Sequence, residues 1–329
     1  MTIENIINII GGQIVNNPKV QKVESATIYP SKVELGDLFF ATNHDDIPKV
    51  IQKGAYAIVF EGDIPKISDE EIVYIQVDSI KEATLKFLRY VTIQKESKIY
   101  LFKDIEISLL KQITFRKSKV YTILSDDWKK NFETILNSDY EIFITNNKDI
   151  AKTISPNYHI VEDLAQGYII SDSLLKTTFK LEKYVYQDLE IPPFFIENLR
   201  KVVAFCKEYN IAYDINRIKY TKEFKPYFVD KNLNILPRGS SDRVLIFTYL
   251  LSVVNDSIEY LKKEGRWIKR LTLTPPKVKL ESNDKPRWYS NIQEAKEILK
   301  NEHFHYAFCY NLKPEEILNK DSSNINLFD

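Results

Sequence analysis

Cysteine is nearly absent: Cys206 and Cys309 are the only two, with no CxxC spacing. That argues against a disulfide scaffold or a structural zinc site and suits a reducing compartment. An excess charge of one sign is lacking as well, since 46 Lys and Arg balance 46 Asp and Glu. No global field therefore draws the chain to nucleic acid or to an anionic membrane, and any such attraction has to be local. Long apolar runs are missing too; nothing approaches the roughly 20 residues that cross a bilayer. The opening MTIENIINIIGG has no basic region ahead of its short apolar run, unlike a signal peptide. The expectation is a cytoplasmic protein without a membrane span and without a metal.

What is present is ample core material. With 44% apolar and 12% aromatic residues, a chain of 329 can bury two or three domains. Apolar residues at helical spacing over 4–10 stop at Gly11-Gly12, which predicts a short opening helix. Strand-length runs follow at 38–41, 56–60 and 72–77, with a brief helix over 47–53 and a longer one over 80–93 behind Asp78-Ser79. Strands at 98–102, 120–124 and 141–145 alternate with helices over 128–136 and 148–154, an order that favours a parallel sheet. From 168 to 190 polar and apolar residues alternate, as in antiparallel strands with one wet face. Beyond a connector from Tyr220 to Arg243, strands at 244–248, 268–274 and 304–309 alternate with helices at 253–264, 291–300 and 314–319.

The segment Val33-x-x-Gly36-Asp37-Leu38-Phe39-Phe40-Ala41, a helix ending Gly54-Ala55, an Ala-x-Val-Phe strand and a strand ending Val77-Asp78 carry a resemblance. Together they resemble the N-terminal domain of the Mur ligases, in particular the branch that adds D-alanyl-D-alanine to the UDP-muramoyl tripeptide. The resemblance implies an α/β protein in three parts. Residues 1–95 correspond to a domain that binds UDP precursors, 96–240 to a shortened, degenerate central ATPase-like domain with a mixed or parallel sheet, and 241–329 to a small Rossmann-like αβ domain. A second patch, Ile191 to Cys206, resembles the ligase helix bearing His-Asn-x-x-Asn-Ala-x-x-Ala, with Asn198 at the second asparagine. The first of those positions falls here on Phe194-Phe195, and the segment reads better as a core helix with Cys206 a small buried apolar residue.

Departures from the family pattern fall on the chemistry. Tyr29-Pro30-Ser31 stands where the family has Asp-Ser/Thr-Arg, and Ala41 runs through Thr42-Asn43-His44-Asp45-Asp46 into the helix where a longer Gly and Asp-Gly-His loop is expected. If a ligand is held here, Ser31, Lys32, Thr42, Asn43 and His44 are the reachable polar groups; the alternative for His44 is a loop histidine bonded to a neighbouring carboxylate. The family's phosphate loop, Gly-x-x-Gly-Lys-Thr, uses glycine amides, a lysine and a magnesium-binding hydroxyl. In its place stand Lys103-Asp104-Ile105-Glu106-Ile107-Ser108, with no glycine and two carboxylates. The ATP and magnesium that the resemblance implies have lost their site, and the Asp-x-Tyr-Asn-x-Asn-Pro pattern of the last domain is reduced to Thr248-Tyr249.

Other polar groups allow more than one reading. Arg238 and Arg243 flank Gly239-Ser240-Ser241 and form either an anion-binding nest or a solvated turn. Lys262, Lys263, Arg266, Lys269 and Arg270 surround Trp267, and Lys277, Lys279, Lys285 and Arg287 precede Trp288; such a patch binds single-stranded nucleic acid or is a solvated surface diluted by Glu259, Glu264, Glu281 and Asp284. His303, His305 and Cys309, an even number of residues apart, are expected to share one face of a strand, but lack a carboxylate anchor and a fourth ligand for a metal. The expectation that follows is a non-catalytic binding or scaffold protein of peptidoglycan-precursor metabolism, a pseudoenzyme whose partner is a UDP-muramoyl precursor or another cell-wall enzyme. An active amide ligase with an unorthodox ATP site and a nucleic-acid binder are the alternatives.

Overall fold

Thr2 starts the first helix. Its hydroxyl accepts the Asn5 amide at 3.3 Å, and α1 (Ile3–Ile10) ends on Gly11, whose φ of 74° lies in the left-handed region. Ile3, Ile6 and Ile10 are buried, the apolar stripe that the spacing predicts. The computed structural model describes residues 1–63, 65, 69–115, 119–265, 267–281 and 284–319. By contact the chain divides into two compact units, Met1–Phe102 with Lys117–Val161, and Lys103–Arg116 with Glu162–Asp329.

In the first unit β1 (Gln13–Ile14), β2 (Ala26–Thr27), β3 (Leu38–Phe40), β4 (Ala57–Glu61) and β5 (Val73–Val77) make a sheet ordered β1-β5-β4-β3-β2, with α2 (Ile47–Gln52) between β3 and β4. Strands β2 to β5 are parallel and β1 is an antiparallel edge. Leu38, Phe40, Val59, Val73 and Ile75 enter one core cluster, while Phe39, Ile58, Phe60 and Tyr74 enter another. Both faces are covered, which is why these strands read as continuous apolar runs.

The Gly-Asp-Leu-Phe-Phe-Ala segment has a structural cause. Gly36 and Gly54 have φ of 93° and 97°, and the Gly36 amide donates to the Gly54 carbonyl at 2.9 Å. A Cβ on Gly54 would lie 2.8 Å from Leu35 Cδ1 and 3.1 Å from its Cα, so conformation and space both demand glycine. Asp37, buried, accepts the Glu34 amide at 2.9 Å and the Ser25 hydroxyl. The motif fastens the entry of β3 to the exit of α2.

Ser79 accepts the Glu82 amide at 3.4 Å and opens α3 (Ile80–Gln94), which buries Ile80, Ala83, Phe87 and Leu88. The chain continues through β6 (Lys98–Leu101) and then α4 (Asp104–Ile113), which belongs to the second unit. It returns as β7 (Tyr121–Ile123), α5 (Trp128–Asn137), β8 (Ile142–Thr145) and α6 (Lys148–Ile154). These three strands form a parallel sheet ordered β6-β8-β7. Phe40 lies 5.5 Å from Phe87 and 5.2 Å from Phe132 between ring centres, so both sheets of this unit share one core.

The second unit holds two sheets. β9 (Gly167–Asp172), β10 (Thr177–Leu181) and β11 (Tyr184–Leu189) are an antiparallel meander with Phe179 and Leu181 buried and Tyr168, Ile170 and Val185 exposed. α7 (Ile196–Glu208) packs against α4. The larger sheet uses β12 (Lys225–Val229), β13 (Ile235–Leu236), β14 (Val244–Thr248), β15 (Arg270–Thr274), β16 (Arg287–Trp288) and β17 (Tyr306–Tyr310), with α8 (Leu251–Glu264) after β14, α9 (Ile292–Asn301) before β17 and α10 (Pro314–Ile317) after it. Its order is β13-β12-β14-β17-β15-β16, with β14 to β16 mutually parallel through β17. The crossover through α8 runs one way along the sheet and that through α9 runs back, so right-handed connections place the two helices on opposite faces. Leu245, Phe247, Leu273, Ala307 and Cys309 share a cluster with Ala295 and Leu299 of α9, and α8 meets β14 and β17. The fold is mixed α/β with several parallel sheets, as the sequence resemblance implies.

Candidate functional site

The polar residues near β3 are drawn into the first unit's own bonding. Lys32 Nζ lies 2.9 Å from Glu133 Oε2 on α5. Glu133 is buried and also accepts the Thr27 hydroxyl at 2.6 Å, the Ile28 amide at 3.2 Å and the Asn137 side chain at 3.0 Å. One turn earlier on α5, Lys129 Nζ donates to Thr42 Oγ1 at 3.1 Å. Helix α5 thus brings Lys32 and Thr42 to one of its faces. Ser31 presents its carbonyl to Lys53 Nζ at 2.8 Å, Asn43 accepts the Asp45 amide at 3.1 Å, and His44 Nε2 lies 3.0 Å from the Glu61 carbonyl. The partner of His44 is a backbone oxygen and not a carboxylate.

Only Phe102 and Lys103 separate β6 from α4, the junction at which the family resemblance implies a phosphate loop. Glu106 reaches back to accept the Lys103 amide at 2.8 Å, and Asp104 adds a second acidic residue to the first helical turn. Burial pushes the Glu106 carboxyl above its usual range, against the lowering effect of the Lys103 amide bond. A helix start ordinarily offers free amides to an anion. Here a carboxylate of the chain holds one of them, so these residues do not fit a nucleotide phosphate.

In the second unit Arg238 and Arg243 go to separate partners. Arg238 pairs with Glu190 through both terminal nitrogens and lies over the Tyr220 ring at 5.0 Å. Arg243, buried, donates to the carbonyls of Leu299 at 2.6 Å and Glu302 at 3.2 Å and covers the Phe304 ring at 4.2 Å. It satisfies the carboxyl end of α9, where a cation also meets the negative end of the helix dipole.

A site that sequence reading does not assemble lies at the carboxyl ends of β14 and β17. These neighbouring strands lead into helices on opposite faces, α8 after β14 and α10, which packs on α9, after β17. Diverging loops of this kind leave a crevice where α/β sheets hold ligands. The Asn311 amide donates to the Thr248 carbonyl at 3.0 Å, and Asn311 has a φ of 57°, so the two loops are stitched at the crevice floor. A cavity of about 360 Å³ opens there, with Lys222, Lys225, Tyr249 and Lys313 in its wall. Behind it Glu223, fully buried, accepts the Tyr249 hydroxyl at 2.7 Å and Ser108 at 2.9 Å on one oxygen. Burial and then the bond to Glu223 push the Tyr249 phenol above its usual range, so it remains a donor. The sequence signals only Thr248-Tyr249; the lysines are scattered along the chain and meet through the sheet order.

The aromatic and basic patch is partly neutralised. Trp267 is 72% exposed beside His305, and Trp288 is 56% exposed. Lys262 lies 2.8 Å from Glu259, Arg270 3.5 Å from Asp284 and Arg287 2.7 Å from Glu302. Arg266 lies outside the described residues. His303 and His305 precede β17 rather than sharing a strand with Cys309, whose thiol burial pushes up within the core. His305 Nδ1 instead accepts the Lys269 amide at 3.0 Å.

No family model and no curated protein matches this chain. Among solved structures it is similar to the MurF ligase from Thermotoga maritima in complex with ADP, at 11% identity over 90% of this chain and 96% of that one, with a TM-score of 0.51. It is also similar to UDP-N-acetylmuramoylalanyl-D-glutamyl-2,6-diaminopimelate–D-alanyl-D-alanyl ligase from Acinetobacter baumannii, at 11% identity over 96% of each chain and a TM-score of 0.46. At such identity the likeness is one of fold, and the fold is Mur-ligase-like.

Proposed function

We propose that this Mur-ligase-like protein serves peptidoglycan-precursor metabolism as a non-catalytic binding or scaffold protein, in the cytoplasm and without ATP or magnesium. The observation that carries the proposal is the start of α4, where Glu106 accepts the Lys103 amide at 2.8 Å in place of a phosphate. A ligase of this fold activates a carboxyl group by phosphoryl transfer, and losing the amide cradle, the lysine and the metal hydroxyl together removes most of the charge stabilisation such a step needs. The precursor domain, residues 1–95, keeps its frame through Gly36, Asp37 and Gly54. The segments 96–240 and 241–329 are assigned as the reduced central and last parts, available to another cell-wall enzyme as partner.

Calorimetric titration of the full chain with a UDP-muramoyl tripeptide is expected to give saturable heat without added ATP. No heat at millimolar precursor would overturn the binding role.

A further inference from the structure

The crevice at the ends of β14 and β17 carries a chemistry that a precursor-binding role in residues 1–95 leaves unused. Its volume of about 360 Å³ falls within the range of small-molecule sites. Three cations, Lys222, Lys225 and Lys313, line it, and no carboxylate among the described residues does. Glu223 Oε1 is 3.9 Å from Lys222 Nζ, yet the Lys222 side chain is 69% exposed, so this pair is loose and leaves the ammonium reachable. The remaining wall sets apolar Phe247, Leu312 and Pro314 beside polar Thr248 and Asn311, with Tyr249 held by Glu223. Lys222 Nζ also lies 5.3 Å from the centre of the Tyr249 ring, which joins the charged and aromatic parts of the site. The other oxygen of Glu223 has no hydrogen-bond partner among the described residues. A buried carboxylate left half satisfied costs stability, and here its visible effect is to brace Tyr249.

We propose that this crevice binds a small organic phosphate, its phosphoryl group at the exposed Lys222 and Lys313 and its apolar or ring portion against Tyr249, Leu312 and Pro314. Ammonium groups act as point charges suited to a phosphoryl dianion, whereas carboxylates are taken up best by the arginine fork. No arginine among the described residues lines the crevice. The assignment is independent of the cell-wall role and of residues 1–95.

The test is titration of the full chain at low salt with phenyl phosphate, inorganic phosphate and benzoate. Phenyl phosphate is expected to saturate and to bind about tenfold tighter than inorganic phosphate through burial of its ring. Lys222→Gln/Lys313→Gln should weaken it about tenfold or more, because two exposed cations are removed, with the thermal midpoint of the chain retained. Tyr249→Leu, which removes the ring and the bond to Glu223, should narrow the preference for phenyl phosphate over inorganic phosphate. Absence of saturation up to millimolar phenyl phosphate, unchanged affinity in the double variant, or benzoate binding as tightly would each overturn the proposal. Equal affinity for inorganic and phenyl phosphate would remove the organic part of the ligand.

Discussion

Gly54 shows how a residue that looks functional is fixed by backbone geometry. Its φ of 97° and the 2.8 Å approach of Leu35 to a built Cβ predict that Gly54→Ala destabilises the chain by about 1–3 kcal/mol, read as a lower urea midpoint; an unchanged midpoint would contradict the assignment. Lys32 is the opposite case, since a candidate ligand residue proves to be the partner of buried Glu133. Lys32→Ala should cost about 1 kcal/mol, the scale of a half-exposed pair whose acid keeps its other donors. The glycines were visible as letters in the sequence, and so was the lysine. What could not be read was Glu133, because it reaches Lys32 only after α5 folds back onto the loop ahead of β3.

Among the elements, α4 bears most directly on function. Burial raises the Glu106 carboxyl pKa in the fold, so between the ordinary glutamate value and that raised value the folded chain holds more protons than the unfolded one. The stability this group contributes is therefore present at low pH and lost as pH rises through the window. Glu106→Gln keeps an acceptor for the Lys103 amide but cannot ionise. The stability difference between variant and wild type should then grow in favour of the variant as pH rises through that window, and a difference that stays flat with pH would refute the burial argument. Helix α6 offers a simpler check: Asn147 accepts the Asp149 and Ile150 amides at 3.0 and 3.1 Å, and Asn147→Ala should cost about 1 kcal/mol.

Elements with strong periodicity were legible from sequence. α6 and β14 fall where apolar spacing and turn residues place them, and the meander β9 to β11 follows from alternation. The hairpin of β12 and β13 was not, because Pro226 and Pro237 read as a connector. In the fold Pro226 lies opposite Ile246 within β12, and Pro237 follows directly on β13. β17 begins at Tyr306, so even spacing from His303 to Cys309 does not place them on one strand face.

For the whole molecule, topology decides what sequence order hides. Each unit draws its core from distant stretches, as Phe40 and Phe132 do in one and Leu245, Ala295 and Cys309 in the other. The crevice at β14 and β17 exists because β17 is inserted between β14 and β15, and no local pattern marks Lys222 or Lys313 as its wall. The fold class was readable because apolar periodicity is local; the candidate ligand site was not, because its charges converge only through strand order. Across the chain the fold is Mur-ligase-like, and at the start of α4 Glu106 accepts the Lys103 amide.

The proposed non-catalytic role is tested most directly by assaying ADP release from the full chain with ATP, magnesium, a UDP-muramoyl tripeptide and D-alanyl-D-alanine together. The proposal predicts ADP formation at the background rate whether or not the precursor is present. Precursor-dependent ADP release above background, with amide product formed in step, would contradict it.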